Sequence, residues 1–272
     1  MSTTIARPEA AGLVPVPSGP APNGPAAQRG LRALVDYRHG EIRHVAYSSA
    51  MTGTRVAAFF DVDHTLLDVN TGLQWARHQR RAGILSKMDM LRAAVWMLRY
   101  RLLVVDQESL IARVALMYAG TPVARAESEM RRWFDAEMAR FVRPTGRTRV
   151  EEHLEQGHVV ALMSSGTRYT LEPLADMLGI KYVVCTVFEE VEGLLTGRHI
   201  APACAGDGKV SLAERFALEH DIDLDASYFY TDSHADIGLL ERVGLPRVVT
   251  PDLRLRRQAR RRGWTIEDWA LA

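Results

Sequence analysis

Val56-Ala57-Ala58-Phe59-Phe60-Asp61-Val62-Asp63-His64-Thr65-Leu66 is the stretch whose reading decides the fold. Its first five residues form a short, unbroken apolar run, the pattern of a strand buried on both faces. The strand ends in two carboxylates one residue apart, Asp61 and Asp63, and so carries both to the carboxyl edge of a sheet. In open α/β folds that edge is where ligands bind. Two acids at fixed separation can divide labour, one as nucleophile and the other as proton donor. A metal ion is needed to screen their mutual repulsion. These residues therefore point to phosphoryl transfer with Mg²⁺. Asp-x-Asp also occurs in calcium loops and in sugar-nucleotide sites, so the rest of the chain has to decide.

Downstream of Pro144 the sequence alternates helical and extended patterns. A helix near 147–156 precedes the apolar run 158–163, which ends at Ser164-Ser165-Gly166. A helix running to Gly179, a strand over 182–186 and a hairpin through Glu192-Gly193 and Thr196-Gly197 follow. Lys209 to His220 reads as a helix, Tyr228 to Tyr230 as a strand ending at Asp232, and 247–249 as a further strand before a last helix from Asp252. Strands alternating with helices predict an α/β fold with a doubly wound, mainly parallel, Rossmann-like sheet.

Between the two parts of that core, residues 70–149 show helical periodicity only. Leu85, Met88, Leu91, Val95 and Leu98 recur at helical spacing, as do Leu110, Val114 and Met117, then Met130, Phe134 and Met138. These stripes predict a small helical bundle inserted as a cap, leaving 51–69 and 150–272 as the core. Residues 1–50, with prolines at 8, 15, 17, 20, 22 and 25 among Ala, Gly and Ser, read as a tail too poor in apolar side chains to build a core. A short surface helix over 31–47 is the most structure expected there.

Composition sets outer limits. The 272 residues are 47% hydrophobic and 25% charged, as in an ordinary globular chain. A net charge of +1 provides no global field for nucleic acid. No run approaches the ~20 apolar residues of a membrane span, since Arg99 and Arg101 interrupt 93–105. The two cysteines, Cys185 and Cys204, make no disulfide framework and suit a reducing cytoplasm.

Three strand ends bear polar residues: Asp61 with Asp63, Ser164 with Ser165, and Asp232 with Asp236 just beyond. Strand ends of a parallel sheet face one side, so these groups converge, and Lys209 after Gly206-Asp207-Gly208 can bring a positive charge to them. With these motifs in this order, the chain from Val56 onward resembles phosphatases of the haloacid dehalogenase superfamily, in the branch typified by phosphoserine phosphatase. Asp61, Asp63, Thr65 and Leu66 match the first motif, Ser164 the second, Lys209 the third, and Asp232 with Asp236 the fourth. The resemblance implies Asp61 as a nucleophile that carries an aspartyl phosphate, and Asp63 as general acid and base. It implies Thr65, Ser164, Ser165 and Lys209 around the phosphoryl oxygens, with backbone N–H groups near His64, Thr65 and Ser165 adding to that cradle. It further implies Mg²⁺ held by Asp61, Asp63 and Asp232, with Asp236 orienting a bound water or Lys209, and a small phosphate monoester as substrate.

Two positions depart from the family pattern. Asn70 stands where members that hydrolyse phosphoserine carry an acid for the substrate's ammonium, which argues against phosphoserine. Thr231 stands where glycine usually precedes the fourth-motif Asp, and is read as neutral. Trp75, Trp96 and Met97 could line an apolar pocket, but packing within the cap is the expected role. Leu255 and Ala259, one turn apart among Arg254, Arg256, Arg257, Arg260, Arg261 and Arg262, predict a helix docked by one face with its arginines in water.

Overall fold

The computed structural model of the chain describes residues 33–38, 41–46, 54–89, 91, 95 and 107–270. Within the first 51 residues, β1 (Ala33–Arg38) and β2 (Glu41–Ala46) pair as an antiparallel hairpin, where at most a surface helix was expected.

The described residues from 54 onward form a second compact unit built on a seven-stranded sheet. Its strands are β3 (Ala57–Phe60), β4 (Val159–Thr167), β5 (Tyr182–Val191), β6 (Leu194–Ile200), β7 (Tyr228–Thr231), β8 (Leu245–Val249) and β9 (Thr265–Glu267). They lie in the order 6-5-4-3-7-8-9, all parallel except the β5–β6 hairpin. The chain leaves β3, fills one side of the sheet, then returns to fill the other. The C-terminal end of β3 is therefore the topological switch point, where a crevice opens between oppositely directed crossovers. Asp61 is the next residue.

β3 is central because its side chains suit burial on both faces. Ala58 and Phe60 join one core cluster with Leu162, Tyr230 and Trp269, while Ala57 and Phe59 join the other with Ala161, Met163 and Phe229. Phe60 stacks on Tyr230 with ring centroids 4.5 Å apart. The β5–β6 turn is Glu192-Gly193, both at positive φ (52° and 75°), the backbone that matches strand twist in a two-residue hairpin. β9 has no strong sequence signal: its three residues pair only with the edge of β8.

The helices are α1 (Thr71–Arg81), α2 (Gln107–Leu116), α3 (Val123–Trp133), α4 (Pro144–Glu155), α5 (Arg168–Leu178), α6 (Asp207–Glu219), α7 (Ile237–Arg242) and α8 (Leu253–Arg262). The described residues between β3 and β4 carry no strand, but their apolar stripes do not all face inward. Met130, Phe134 and Met138 are buried, whereas Met88, Leu91, Val95, Val114 and Met117 are exposed. Leu85 and Leu110 of those two stripes are half-buried. Helix α2 packs instead beside β6 through Ala115, with Tyr118 against Phe188. Trp75 packs edge-on to Trp133, while Trp96, Met97 and Leu98 lie outside the described residues.

Helix α8 follows its amphipathic pattern. Leu255 and Ala259 are fully buried, Arg262 pairs with Glu241 at 2.5 Å, and the remaining arginines are exposed. Both cysteines are free and buried. Among the described residues no helix is long and apolar enough to cross a membrane.

Candidate active site

The site forms where β3 and β7 end side by side. Asp61 extends β3 by one residue, its N–H donating to the Tyr230 carbonyl of β7 (2.9 Å), and it is 7% exposed. The next residues turn back sharply. Thr65 and Leu67 N–H groups both donate to the Val62 carbonyl, and His64 takes a left-handed backbone (φ 59°), uncommon for a residue with a side chain. That turn brings Asp63 round to the first turn of α1. There its carboxylate accepts from the Thr71 N–H (2.9 Å) and from the Asn70 side-chain amide (2.7 Å).

Lys209 arrives from the start of α6. Gly206 precedes the helix at φ 50°, and a Cβ on Gly208 would stand 2.1 Å from the Ala203 carbonyl oxygen. Only glycine allows the 203–205 turn to press so closely on the helix start. The lysine that follows is 3% exposed, its Nζ 3.1 Å from Asp61 Oδ1 and 2.8 Å from the Asp236 carboxylate. Beyond β7, Thr65 donates its hydroxyl to Asp232 (3.2 Å) and accepts the Asp232 N–H (3.1 Å), locking the first motif to the fourth. Thr231 donates its hydroxyl to Asp236 at 2.7 Å.

Asp61, Lys209, Asp236 and Thr231 thus form one hydrogen-bonded chain, Thr65 and Asp232 form a second pair, and Asp63 is held separately by Asn70 and Thr71, the acids being close enough to act on one another electrostatically. Three further bonds shape the site. The Thr65 hydroxyl is engaged with Asp232. The His64 and Thr65 N–H groups donate to the Val69 and Val62 carbonyls. Thr231 bonds the carboxylate that holds Lys209. Ser164 closes the regular part of β4, where the register breaks before Thr167. It is buried, with its hydroxyl accepting the Gly166 N–H at 3.3 Å; Ser165 is exposed. No contact joins either serine to the carboxylate–lysine network among the described residues.

Arg143 is a structural residue the sequence reading missed. It is 4% exposed and reaches Asp68 at 2.5 Å and the Trp269 carbonyl at 2.6 Å, tying the motif turn to the C-terminal segment. A lone arginine before Pro144 carries no pattern that could have flagged it.

The electrostatics follow from four carboxylates sharing one ammonium. Burial raises Asp61 well above the usual carboxylate range; Lys209 opposes this, and Asp236, Asp232 and Asp63 add to it. Burial likewise pushes Asp232 up to about 7, with Asp236 contributing. Burial raises Asp63 too, against the pull of the Thr71 N–H. Burial alone would neutralise Lys209, but Asp236 and Asp61 drive it well above its ordinary value, so it stays charged. Among the described residues no three His, Cys, Asp or Glu side chains gather as a metal-holding group. Asp61 and Asp232 nevertheless offer hard carboxylate oxygens, a donor chemistry that fits Mg²⁺ rather than a softer ion.

The fold is a Rossmann-like α/β sheet with an aspartate at its switch point. Comparison with known proteins makes the class definite: residues 58–241 match the family described as haloacid dehalogenase-like hydrolase. The chain belongs to that family. It is similar to "Phosphoserine phosphatase SerB1" of Mycobacterium tuberculosis, 30% identical over 79% of this chain and 71% of that protein. It is also similar to "Histidinol-phosphatase" of Neisseria meningitidis, 26% identical over 77% of this chain and 96% of that protein. A solved structure of a protein of unknown function from Bordetella pertussis superposes with a TM-score of 0.74 at 27% identity, covering 80% of this chain and all of that one.

Proposed function

We propose that this haloacid dehalogenase-like hydrolase is a Mg²⁺-dependent phosphatase that hydrolyses a small-molecule phosphate monoester through an aspartyl phosphate on Asp61. The observation that carries this reading is the buried Lys209 bridging Asp61 and Asp236 at the switch point. A carboxylate aligned by a fixed ammonium, with a second acid one residue away, has the parts for nucleophilic displacement at phosphorus.

In the first step an Asp61 oxygen bonds to phosphorus as the ester P–O bond breaks. Asp63, whose pKa burial raises against the pull of the Thr71 N–H, gives a proton to the departing alkoxide; such transfer is worth roughly 10²–10⁴ in rate. In the second step Asp63 takes a proton from water, whose oxygen bonds to phosphorus and releases Asp61. Lys209 and Ser164 face the phosphoryl oxygens as charge builds on them. Bound Mg²⁺, held by Asp61, Asp232 and the Asp63 carbonyl, would screen the charges of nucleophile and phosphate. Residues 70–149 act as the cap that shapes the substrate pocket.

The relatives' names span phosphoserine and histidinol phosphate, so the substrate class is drawn as a phosphate monoester of a small alcohol. Asn70 argues against phosphoserine itself, because an amide offers no charge to an ammonium. A Mg²⁺-dependent screen of phosphoserine, sugar phosphates, amino-alcohol phosphates and lysophospholipids tests the proposal. Phosphate release from at least one is expected; release from none would contradict it.

A further inference from the structure

We infer that Asn70 is a positioning residue for proton transfer, holding the Asp63 carboxylate in the orientation that the leaving group requires. The inference rests on the reading of Asp63 as general acid.

Its basis is a two-sided clamp. Asn70 is the N-cap of α1, its Oδ1 accepting the Leu73 N–H at 2.9 Å. That bond fixes which end of the amide is which, because only the oxygen can accept from a backbone N–H. The Nδ2 end is then committed to Asp63, donating to its Oδ2 at 2.7 Å. The other carboxylate oxygen, Oδ1, accepts the Thr71 N–H at 2.9 Å. Both oxygens of Asp63 are therefore gripped by one helix start, and rotation of its carboxylate breaks at least one bond. A proton donor misaligned by a fraction of an ångström loses much of its effect, so a fixed orientation is itself catalytic advantage.

Among the natural N-cap residues, aspartate would cap α1 equally well and place a second carboxylate against Asp63. Of this isosteric pair, only the amide both caps the helix and donates to the acid. This gives the position a function that does not involve a substrate ammonium.

The test compares Asn70→Asp and Asn70→Ala with the wild type on two substrates in Mg²⁺. One is an alkyl phosphate, whose leaving alkoxide needs a proton. The other is p-nitrophenyl phosphate, whose leaving phenolate needs little. Both variants should lower the alkyl-to-aryl ratio of kcat by at least about tenfold, with KM for the alkyl ester within about twofold. Asn70→Ala should also lower the melting temperature, since the cap is lost. A merely structural role predicts the reverse pattern: a normal ratio in Asn70→Asp, which would overturn the inference while leaving the phosphatase reading intact. A wild type inert toward both esters would overturn the phosphatase reading, and this inference with it.

Discussion

The Lys209 ammonium lies 3.1 Å from the Asp61 carboxylate although 148 positions separate them in the chain. With Asp236 on its other side at 2.8 Å, it bridges two buried acids at once. Replacing Lys209 by methionine keeps the side chain's length and removes the charge, leaving Asp61 buried without its ammonium and Asp236 with only the Thr231 hydroxyl. Breaking a buried pair in this way costs about 3–5 kcal/mol. The variant should unfold at markedly lower denaturant and lose at least about 10²-fold in kcat. A Lys209→Met protein with wild-type stability would show that the pair does not hold the site together.

Mg²⁺ should stabilise the protein, because the native state alone gathers the oxygen donors. Thermal unfolding should shift upward with Mg²⁺ and return after chelation. Asp232→Asn should lose this response while keeping the fold, since Thr65 can still hold the amide. An equal Mg²⁺ shift in Asp232→Asn would remove Asp232 from the ligand set.

His153 makes stability depend on pH far from the carboxylates. It is 4% exposed, with Nε2 2.9 Å from the Tyr230 hydroxyl and Nδ1 2.7 Å from His158 Nδ1. Burial first, then His158, Arg149 and Arg247, hold its pKa down to about 4. The unfolded chain therefore takes up a proton before the native one as pH falls below the ordinary histidine value of roughly 6.5. Nothing is lost above that value. Between there and about 4 the native state is progressively weakened, by about 2 kcal/mol at pH 5. Urea unfolding at both ends of this window should show the loss, and His153→Gln should flatten it. An unchanged pH slope in that variant would rule out His153 as its source.

Arg143 joins the turn after the first motif to the chain's C-terminal segment through Asp68 and the Trp269 carbonyl. Arg143→Met should cost about 2–3 kcal/mol, less than the loss of a fully buried pair because Asp68 keeps access to water. Arg143→Lys should recover only part of it, since one ammonium cannot match the two-pronged guanidinium. Full recovery by lysine would mean that charge alone matters there.

How far these features were legible in the sequence depended on the range of the signal. The central strand and both flanking motif strands could be read because burial on two faces leaves short, unbroken apolar runs such as 57–60. The convergence of Asp61, Asp232 and Lys209 followed from parallel topology, which places strand ends on one edge. Asn70 was legible only as a missing acid; its bond to Asp63 depends on how the 62–67 turn folds back, which no local pattern encodes. The exposed Met88, Leu91 and Val95 show the opposite failure, since helical spacing reveals an apolar face but not what covers it. The motif position of Thr65 was visible in the sequence, but its hydrogen bond to Asp232 was not.

The central claim is that Asp61 bonds to phosphorus during turnover. The most direct measurement is acid quenching of the protein during steady-state hydrolysis of a monoester with Mg²⁺, followed by peptide mass mapping. One phosphoryl group on the peptide bearing Asp61, absent in Asp61→Asn along with all turnover, is the expected result. Turnover with no phosphoryl group on that peptide, or full activity in Asp61→Asn, would contradict the account.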